Sequence, residues 1–319
     1  MSLTYYSPVS DGDITYSCDM LRIKFYINAL KTQSFLDWFS RADLKYGFYY
    51  DYYRSTKIGS YKLLFACSYT NYDVYGREST FTLGFGLNEA SRVYGANCMI
   101  EFNPNKNDMK FMRKLLEYIA MFVDMIEGKV FHLMRYDLAV DIPVRRENVL
   151  LLKQGKREYH RIIGSSLTEY VGKRNSNGFV KVYDKAVESS LDTDLTRIEI
   201  TCDSLDTYPL PSVHILQDIE DDFSDLNSTD IVLVNLIRRL DYDEQQVQLK
   251  MLGRTKREKL QRFIFPKERE FKFNLNSIRW VTYWIDEILN CWNYDILIPH
   301  EVEKESIKDE DYKQCTIFD

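Results

Sequence analysis

The first third of the chain alternates apolar and polar residues at the two-residue period of half-buried strands. Leu21 to Ile27 and Tyr61 to Cys67 have strand composition, and Glu78 to Phe85 alternates until Gly84 and Gly86 loosen the pattern. Between the first two, Phe35, Trp38 and Phe39 recur at helical spacing, which predicts a short amphipathic helix over Ser34 to Phe39. NCMIEFN, Asn97 to Asn103, reads as another strand, interrupted by Pro104. Met112, Leu115, Ile119, Phe122 and Ile126 then form a helical stripe, predicting a helix from Asp108 to Glu127 that Gly128 stops.

Strand patterns return at His132 to Ile142, Tyr159 to Ile163, Thr168 to Val171, Gly178 to Tyr183 and Thr196 to Cys202. A short helix is expected over Glu147 to Lys153, and Lys173 to Gly178 offers a turn. Asp203 to Thr229 is acidic and carries Pro209 and Pro211, as a linker would, with Val213 to Ile219 locally ordered. Beyond it, Asp230 to Leu240, Glu244 to Phe265 and Ile278 to Trp292 read as helices, with Gly253 a potential break in the second. The last puts Val281, Trp284, Ile285, Ile288 and Trp292 on one docking face. Strands first and helices later predict an α+β fold: a mixed, largely antiparallel curved sheet with flanking helices and a helical C-terminal region. The expected division is a sheet-rich domain over residues 1–205 and a mostly helical region over 206–319.

Composition narrows the function classes. Of 319 residues, 45% are hydrophobic and 28% charged, ordinary for a folded globular chain. The N-terminus lacks the basic start and apolar core of a signal peptide, and no apolar run approaches the roughly 18 residues of a membrane span. Six cysteines without metal-ligand spacing point to reduced thiols, and a cytoplasmic location away from membranes is expected. His132, His160, His214 and His300 are isolated, which argues against zinc. A net charge of −6 speaks against a general polyanion binder, but not against a local basic surface. KMLGRTKREKLQR is such a stretch: Lys250, Arg254, Lys256, Arg257, Lys259 and Arg262 supply charge for duplex phosphates, or an ordinary solvated helix face. The 24 tyrosines and 18 phenylalanines offer many surfaces on which bases can stack, although most such residues serve cores and strands.

The acids carry the first candidate chemistry. In RYDLAVD, strand geometry turns Arg135, Asp137, Ala139 and Asp141 one way and Tyr136, Leu138 and Val140 the other. Arg197 and Glu199 share a face of TRIEITC, and Glu101 alternates with apolar neighbours in NCMIEFN. Carboxylates on adjacent strands supply the hard oxygens that Mg²⁺ or Mn²⁺ prefers. The plainer alternative is that they face water or pair with Arg135 and Arg197. Sequence spacing does not say whether these strands are neighbours.

The second constellation is TEYVGKRNSNGFVKVYDKAVE, Thr168 to Glu188. If its last strand stays extended, Lys181, Tyr183 and Lys185 point the same way, and the cations would favour the Tyr183 phenolate and attract phosphate. A tyrosine between lysines is otherwise an ordinary strand residue.

In order, DMLRIKFYINAL, MIEFNPNK, RYDLAVD, TEYVGKRNSNGFVKVYDKAVE and TRIEI resemble the rolling-circle replication initiators of small plasmids in Gram-positive bacteria. A related branch comprises conjugative-element relaxases acting at a transfer origin. The resemblance implies an endonuclease with Tyr183 as nucleophile, forming a 5′-phosphotyrosyl intermediate on origin DNA opened as a single strand or hairpin. Tyr170 is the reserve nucleophile. It implies Asp137 and Glu199 as ligands of Mg²⁺ or Mn²⁺, then Glu101, with Asp141 a ligand or an orienting group. It implies phosphate contacts by Arg135, Lys181, Lys185 and Arg197, and origin recognition in the C-terminal part. A host helicase and a homodimer are expected partners on the same ground. Departures are Lys181, where many relatives have arginine, and Cys202 and Asp203, which replace a more basic continuation. A non-enzymatic origin-binding regulator is the remaining alternative. No general base is identifiable among these residues.

Overall fold

The expected alternations become strands, and several run longer than the sequence pattern marked. The computed structural model describes residues 6–46, 48–51, 61–71, 77–87, 97–152, 157–217, 222–290 and 292. In chain order these form β1 (Val9–Asp11), β2 (Ile14–Phe25), α1 (Ala29–Tyr46), β3 (Phe48–Asp51), β4 (Tyr61–Asn71), β5 (Arg77–Leu87), β6 (Cys98–Phe102) and α2 (Met109–Ala120). There follow β7 (His132–Ile142), β8 (Val149–Leu151), β9 (Tyr159–Ile163), β10 (Leu167–Val171), β11 (Val180–Asp184), α3 (Lys185–Ser189), β12 (Thr196–Cys202) and β13 (Val213–Leu216). The last part holds α4 (Ser228–Ile237), α5 (Tyr242–Met251), α6 (Arg254–Gln261), β14 (Glu268–Glu270) and α7 (Leu275–Asn290).

An 11-stranded sheet runs β3-β4-β5-β6-β2-β7-β12-β11-β10-β9, with β1 paired to β2. A small sheet joins β14, β13 and β8. The described strand pairings are antiparallel. With helices over the sheet and a helical C-terminal region, the fold is α+β.

The apolar face of the sheet is the main core. Tyr136, Leu138, Val140, Ile198, Ile200, Val180 and Val182 are fully buried there, and α7 covers it with Ile278, Val281, Ile285 and Ile288. Those four recur at helical spacing, the docking stripe expected of the final helix. A second core joins Leu226, Val234, Ile237, Leu249, Leu260, Phe263 and Ile264 from α4 to α6 and their flanks. The expected division at 205/206 falls between β12 and β13. On its far side only the 226–264 segment builds a core of its own, while Val213, Phe271 and α7 join the first.

Several local expectations are corrected. Over the described part of the helix expected at 147–153, one 3-10 turn, Arg146–Asn148, leads instead into β8, because Val149 to Leu151 pair with β13 and bury Val149 and Leu151. Lys153 lies outside the described residues. α2 stops at Ala120, well before Gly128, because the chain turns back: the Asp124 amide donates to the Tyr26 carbonyl, and the Asp124 carboxylate accepts from the Asn28 amide and Lys31. The helix expected over 34–39 spans the whole of α1. Gly253 does divide α5 from α6. Of the six cysteines, positions 18, 67, 98 and 202 are buried, and 291 and 315 lie outside the described residues.

Candidate active site

The polar face of β7, β12 and β11 carries the candidate chemistry, and the strand register explains why. Asp141 stands opposite Arg197, Ala139 opposite Glu199 and Asp137 opposite Thr201. On the next strand Glu199 stands opposite Lys181, and Arg197 opposite Tyr183. Directly opposed residues share a face, so three strands bring together residues that are far apart in the sequence, such as Asp137 and Thr201.

The Tyr183 hydroxyl donates to Glu199 Oε1 at 2.6 Å. Lys181 Nζ lies 3.7 Å from the centre of the Tyr183 ring and 3.6 Å from Glu199 Oε2. Tyr183 is only 5% exposed, and burial pushes its phenol far above its ordinary value, with the Glu199 charge adding to the rise. The expectation that lysines favour the phenolate is therefore corrected: burial and a neighbouring anion outweigh them. Burial likewise raises the Glu199 carboxyl, against the opposing pull of Lys181 and the Tyr183 hydrogen bond. A carboxylate made more basic, 2.6 Å from the phenol oxygen, is a geometrically competent proton acceptor. The residue pattern did not reveal this pairing of Tyr183 with Glu199.

The four expected metal-binding acids have separate fates. Glu101 is ion-paired with Arg22, its register partner on β2. Asp141 is gripped by both arms of Arg197, Nε to Oδ1 at 2.6 Å and Nη2 to Oδ2 at 2.7 Å. Asp137 accepts from Thr201 Oγ1 at 2.8 Å and lies 3.7 Å from Arg135 Nη2. Burial raises its carboxyl, opposed by Arg135 and Thr201, and the charges of Glu101 and Asp19 add to the rise. Asp137 and Glu199 alone of the four line one cavity, of about 580 Å³, together with Arg135, Tyr170, Arg174, Asn175, Phe179 and Lys181.

Among the described residues no three His, Cys, Asp or Glu side chains group closely enough to hold a metal ion. Two carboxylates on one cavity wall nonetheless fit Mg²⁺, which typically takes one or two from a protein and completes its shell with phosphate and water. Glu101 and Asp141 do not fit that role, because arginines occupy them.

The cations divide similarly. Arg135 stays at the cavity, its Nη1 donating to Asn175 Oδ1 at 2.7 Å in the loop between β10 and β11. Arg197 is turned inward, with Nη1 also donating to Asp19 Oδ1 at 3.0 Å. Burial works against its charge, but the hydrogen bonds and charge of Asp141, with Asp19, hold its guanidinium more firmly protonated than usual. Lys185 does not extend the strand alternation: Asp184 caps α3 by accepting the Val187 amide, so Lys185 begins a helix and pairs with Glu188.

Asp19 escaped the sequence reading. It sits where β2 slips register against β7 between Cys18 and Met20, a β-bulge. Burial would raise its carboxyl, but Arg197 and the Asn103 amide hold it below the ordinary range. A signal existed: the buried apolar positions are even at Tyr16 and Cys18 and odd at Leu21, Ile23 and Phe25, and such a change of phase requires an extra residue. Thr201, Arg174 and Asn175 were missed as well, since hydroxyls and loop residues carry no period. His132 lies elsewhere, in a cavity between β7 and α7.

On the C-terminal surface, Arg254 pairs with Glu258 at 2.9 Å, Lys256 and Lys259 meet Asp230 at 2.9 and 3.5 Å, and Arg262 meets Asp225 at 3.0 Å. Lys250 and Arg257 make no such pair among the described residues. No described helix is long and apolar enough to cross a membrane.

No protein-family model matches the chain, and no curated protein sequence matches it. Among the solved structures similar to the chain is the rolling circle replication initiator protein from Geobacillus stearothermophilus. The match has 14% identity and a TM-score of 0.34, over 79% of this chain and 97% of that one. At that TM-score the likeness does not establish a common fold.

Proposed function

We propose that this protein is an endonuclease that nicks one strand of DNA at a rolling-circle replication origin and stays joined to the cut end through Tyr183. The observation that carries the reading is the hydrogen bond from the Tyr183 hydroxyl to Glu199, a carboxylate that faces a cavity lined by cations. The ordered resemblance of five sequence segments to plasmid initiators supports the same reading. Tyr170 is the weaker candidate, because its hydroxyl has no hydrogen-bonded carboxylate among the described residues.

In this mechanism the scissile phosphodiester lies between Arg135 and Lys181, which offset its charge. Glu199 accepts the phenol proton as the Tyr183 oxygen attacks phosphorus. The bond from tyrosine to phosphorus forms while the bond from phosphorus to the 3′-oxygen breaks. The departing oxygen takes a proton from water and becomes a 3′-OH able to prime synthesis. Asp137 and Glu199 would hold Mg²⁺ or Mn²⁺, which when bound supplies Lewis-acid polarisation of a phosphoryl oxygen. Arg197 keeps Asp141 and Asp19 neutralised beside the site, which limits repulsion of the incoming phosphate. Lys250 and Arg257 are the proposed duplex contacts of the C-terminal part.

Incubating the protein and Tyr183→Phe with labelled origin oligonucleotides and Mn²⁺, then separating under denaturing conditions, tests this. The expected result is a covalent adduct with the native protein and none with the variant. Equal adduct from both would remove Tyr183 as nucleophile.

A further inference from the structure

The polar face of a sheet is an unusual place for two aromatic rings in contact. Tyr170 stands opposite Lys181 in the β10–β11 register, and Phe179 precedes Lys181 by two positions, so both rings emerge beside the catalytic candidates. The rings stack on each other, with centres 6.0 Å apart and planes 21° from parallel. Both are half-buried, and neither belongs to either hydrophobic core, which their neighbours Val171 and Val180 enter from the opposite face. Their apolar surface therefore borders the 580 Å³ cavity of Asp137 and Glu199.

The loop between β10 and β11 turns tightly and contributes residues to the cavity lining. Gly172, Asn175 and Gly178 all have positive φ, of 92°, 66° and 77°. At Gly172 a side chain would meet the Gly178 carbonyl at 3.4 Å in a backbone conformation that favours glycine. The resulting tight loop carries Arg174 and Asn175 back over the cavity, where Asn175 accepts from Arg135. Cations, hydrogen-bonding groups and a stacked aromatic wall thus surround a space of the size that small organic ligands occupy.

We infer that Tyr170 and Phe179 form the wall against which one unpaired base of the cut strand stacks, on the nucleotide next to the phosphate attacked by Tyr183. This rests on the reading under Proposed function and extends it to the substrate: the strand is gripped by an unstacked base as well as by its phosphates. Rise along β11 places Lys181 about 6.6 Å from Tyr183, so base and scissile phosphate belong to neighbouring nucleotides. Tyr170 is then a binding residue whose hydroxyl is dispensable.

The test uses the full chain with fluorescent single-stranded 12-mers, oligo(dA), oligo(dT) and the same strands with one central abasic site, in chelator so that no cleavage occurs. Tyr170→Ala is expected to weaken binding of intact strands by about 5- to 150-fold, the range typical of one lost base stack, with a smaller loss on abasic strands. Tyr170→Phe keeps the ring and is expected to bind the intact strands with an affinity close to that of the native protein. A 2-aminopurine in the central position should be quenched by the native protein and by Tyr170→Phe but not by Tyr170→Leu. Thermal unfolding of each variant identifies any that lost the fold, and Tyr170→Phe with the abasic strands reads the stack without removing the ring. Native affinity in a folded Tyr170→Ala, or equal affinity of the native protein for intact and abasic strands, overturns the inference while leaving nicking by Tyr183 intact. Absence of strand binding in chelator, together with absence of adduct when the native protein is given origin oligonucleotides and Mn²⁺, overturns this inference and the parent reading together.

Discussion

Two charged regions of this protein are built on opposite principles. On the face of β7, β12 and β11, charges are few, largely buried and locked by register: Arg197 is 8% exposed and holds two carboxylates, and Tyr183 is held by Glu199. On α5 and α6, charges are many and mostly solvated, as when the side chain of Arg254, 84% exposed, meets that of Glu258, 60% exposed. Burial makes the first kind costly to break and able to shift protonation. Exposure leaves the second kind screened and individually weak. The sheet face is therefore where chemistry can be prearranged, and the helical surface is where long-range attraction for a polyanion can be tuned.

The comparison breaks most visibly at Glu199. Glu199→Gln removes the proton acceptor and is expected to lower the nicking rate by about 10²- to 10⁴-fold. The pH dependence follows from the direction of its shift. Burial raises the Glu199 carboxyl, so the basic form is lost at a higher pH than for an ordinary glutamate. Single-turnover rates should climb as pH rises through that elevated value, and the variant should lose this limb. A rise kept unchanged in Glu199→Gln would assign the base to another group.

Next in size is the inward-facing arginine. Arg197→Met leaves Asp141 and Asp19 without their partner, and urea unfolding should show a loss of about 3–5 kcal/mol, the usual cost of breaking one side of a buried pair. Replacing Asp141 with Leu in the same background should recover part of it. An unchanged midpoint would mean the cluster is far better hydrated than its burial indicates.

Smaller effects are expected on the helical surface. Lys250→Ala and Arg257→Ala should each reduce the slope of log affinity against log salt by about 1 on duplex DNA, if each neutralises one phosphate. Lys256→Ala should change stability by no more than about 1 kcal/mol, because Lys256 itself is largely solvated and Lys259 remains beside Asp230. A large stability loss there would contradict the contrast between the two regions.

Much of the fold was legible from periodicity. RYDLAVD and TRIEITC lie in β7 and β12, whose bounds match those read from the chain, because alternation is a local property that survives without knowledge of neighbours. The helix expected over 147–153 failed for the converse reason: Val149 to Leu151 are strand only because β13, more than 60 residues later, offers a partner. α2 ended early because Asp124 has bonds to make near α1. Asp19 was hidden by a bulge, although the change of phase in β2 recorded it.

Taken alone, the sequence determined which residues share a face: Asp137 with Asp141, Arg197 with Glu199, Lys181 with Tyr183. Tertiary structure decided which of them meet. The order β2-β7-β12-β11 brings Asp19 to 3.0 Å from Arg197, 178 positions away, and gives Asp141 to that same arginine. It sets Glu199 against Tyr183 and leaves Asp137 and Glu199 facing one cavity. The physical reason is that strand period sets direction within one strand, whereas charge pairing depends on distance across strands, which only the order and register of the sheet supply.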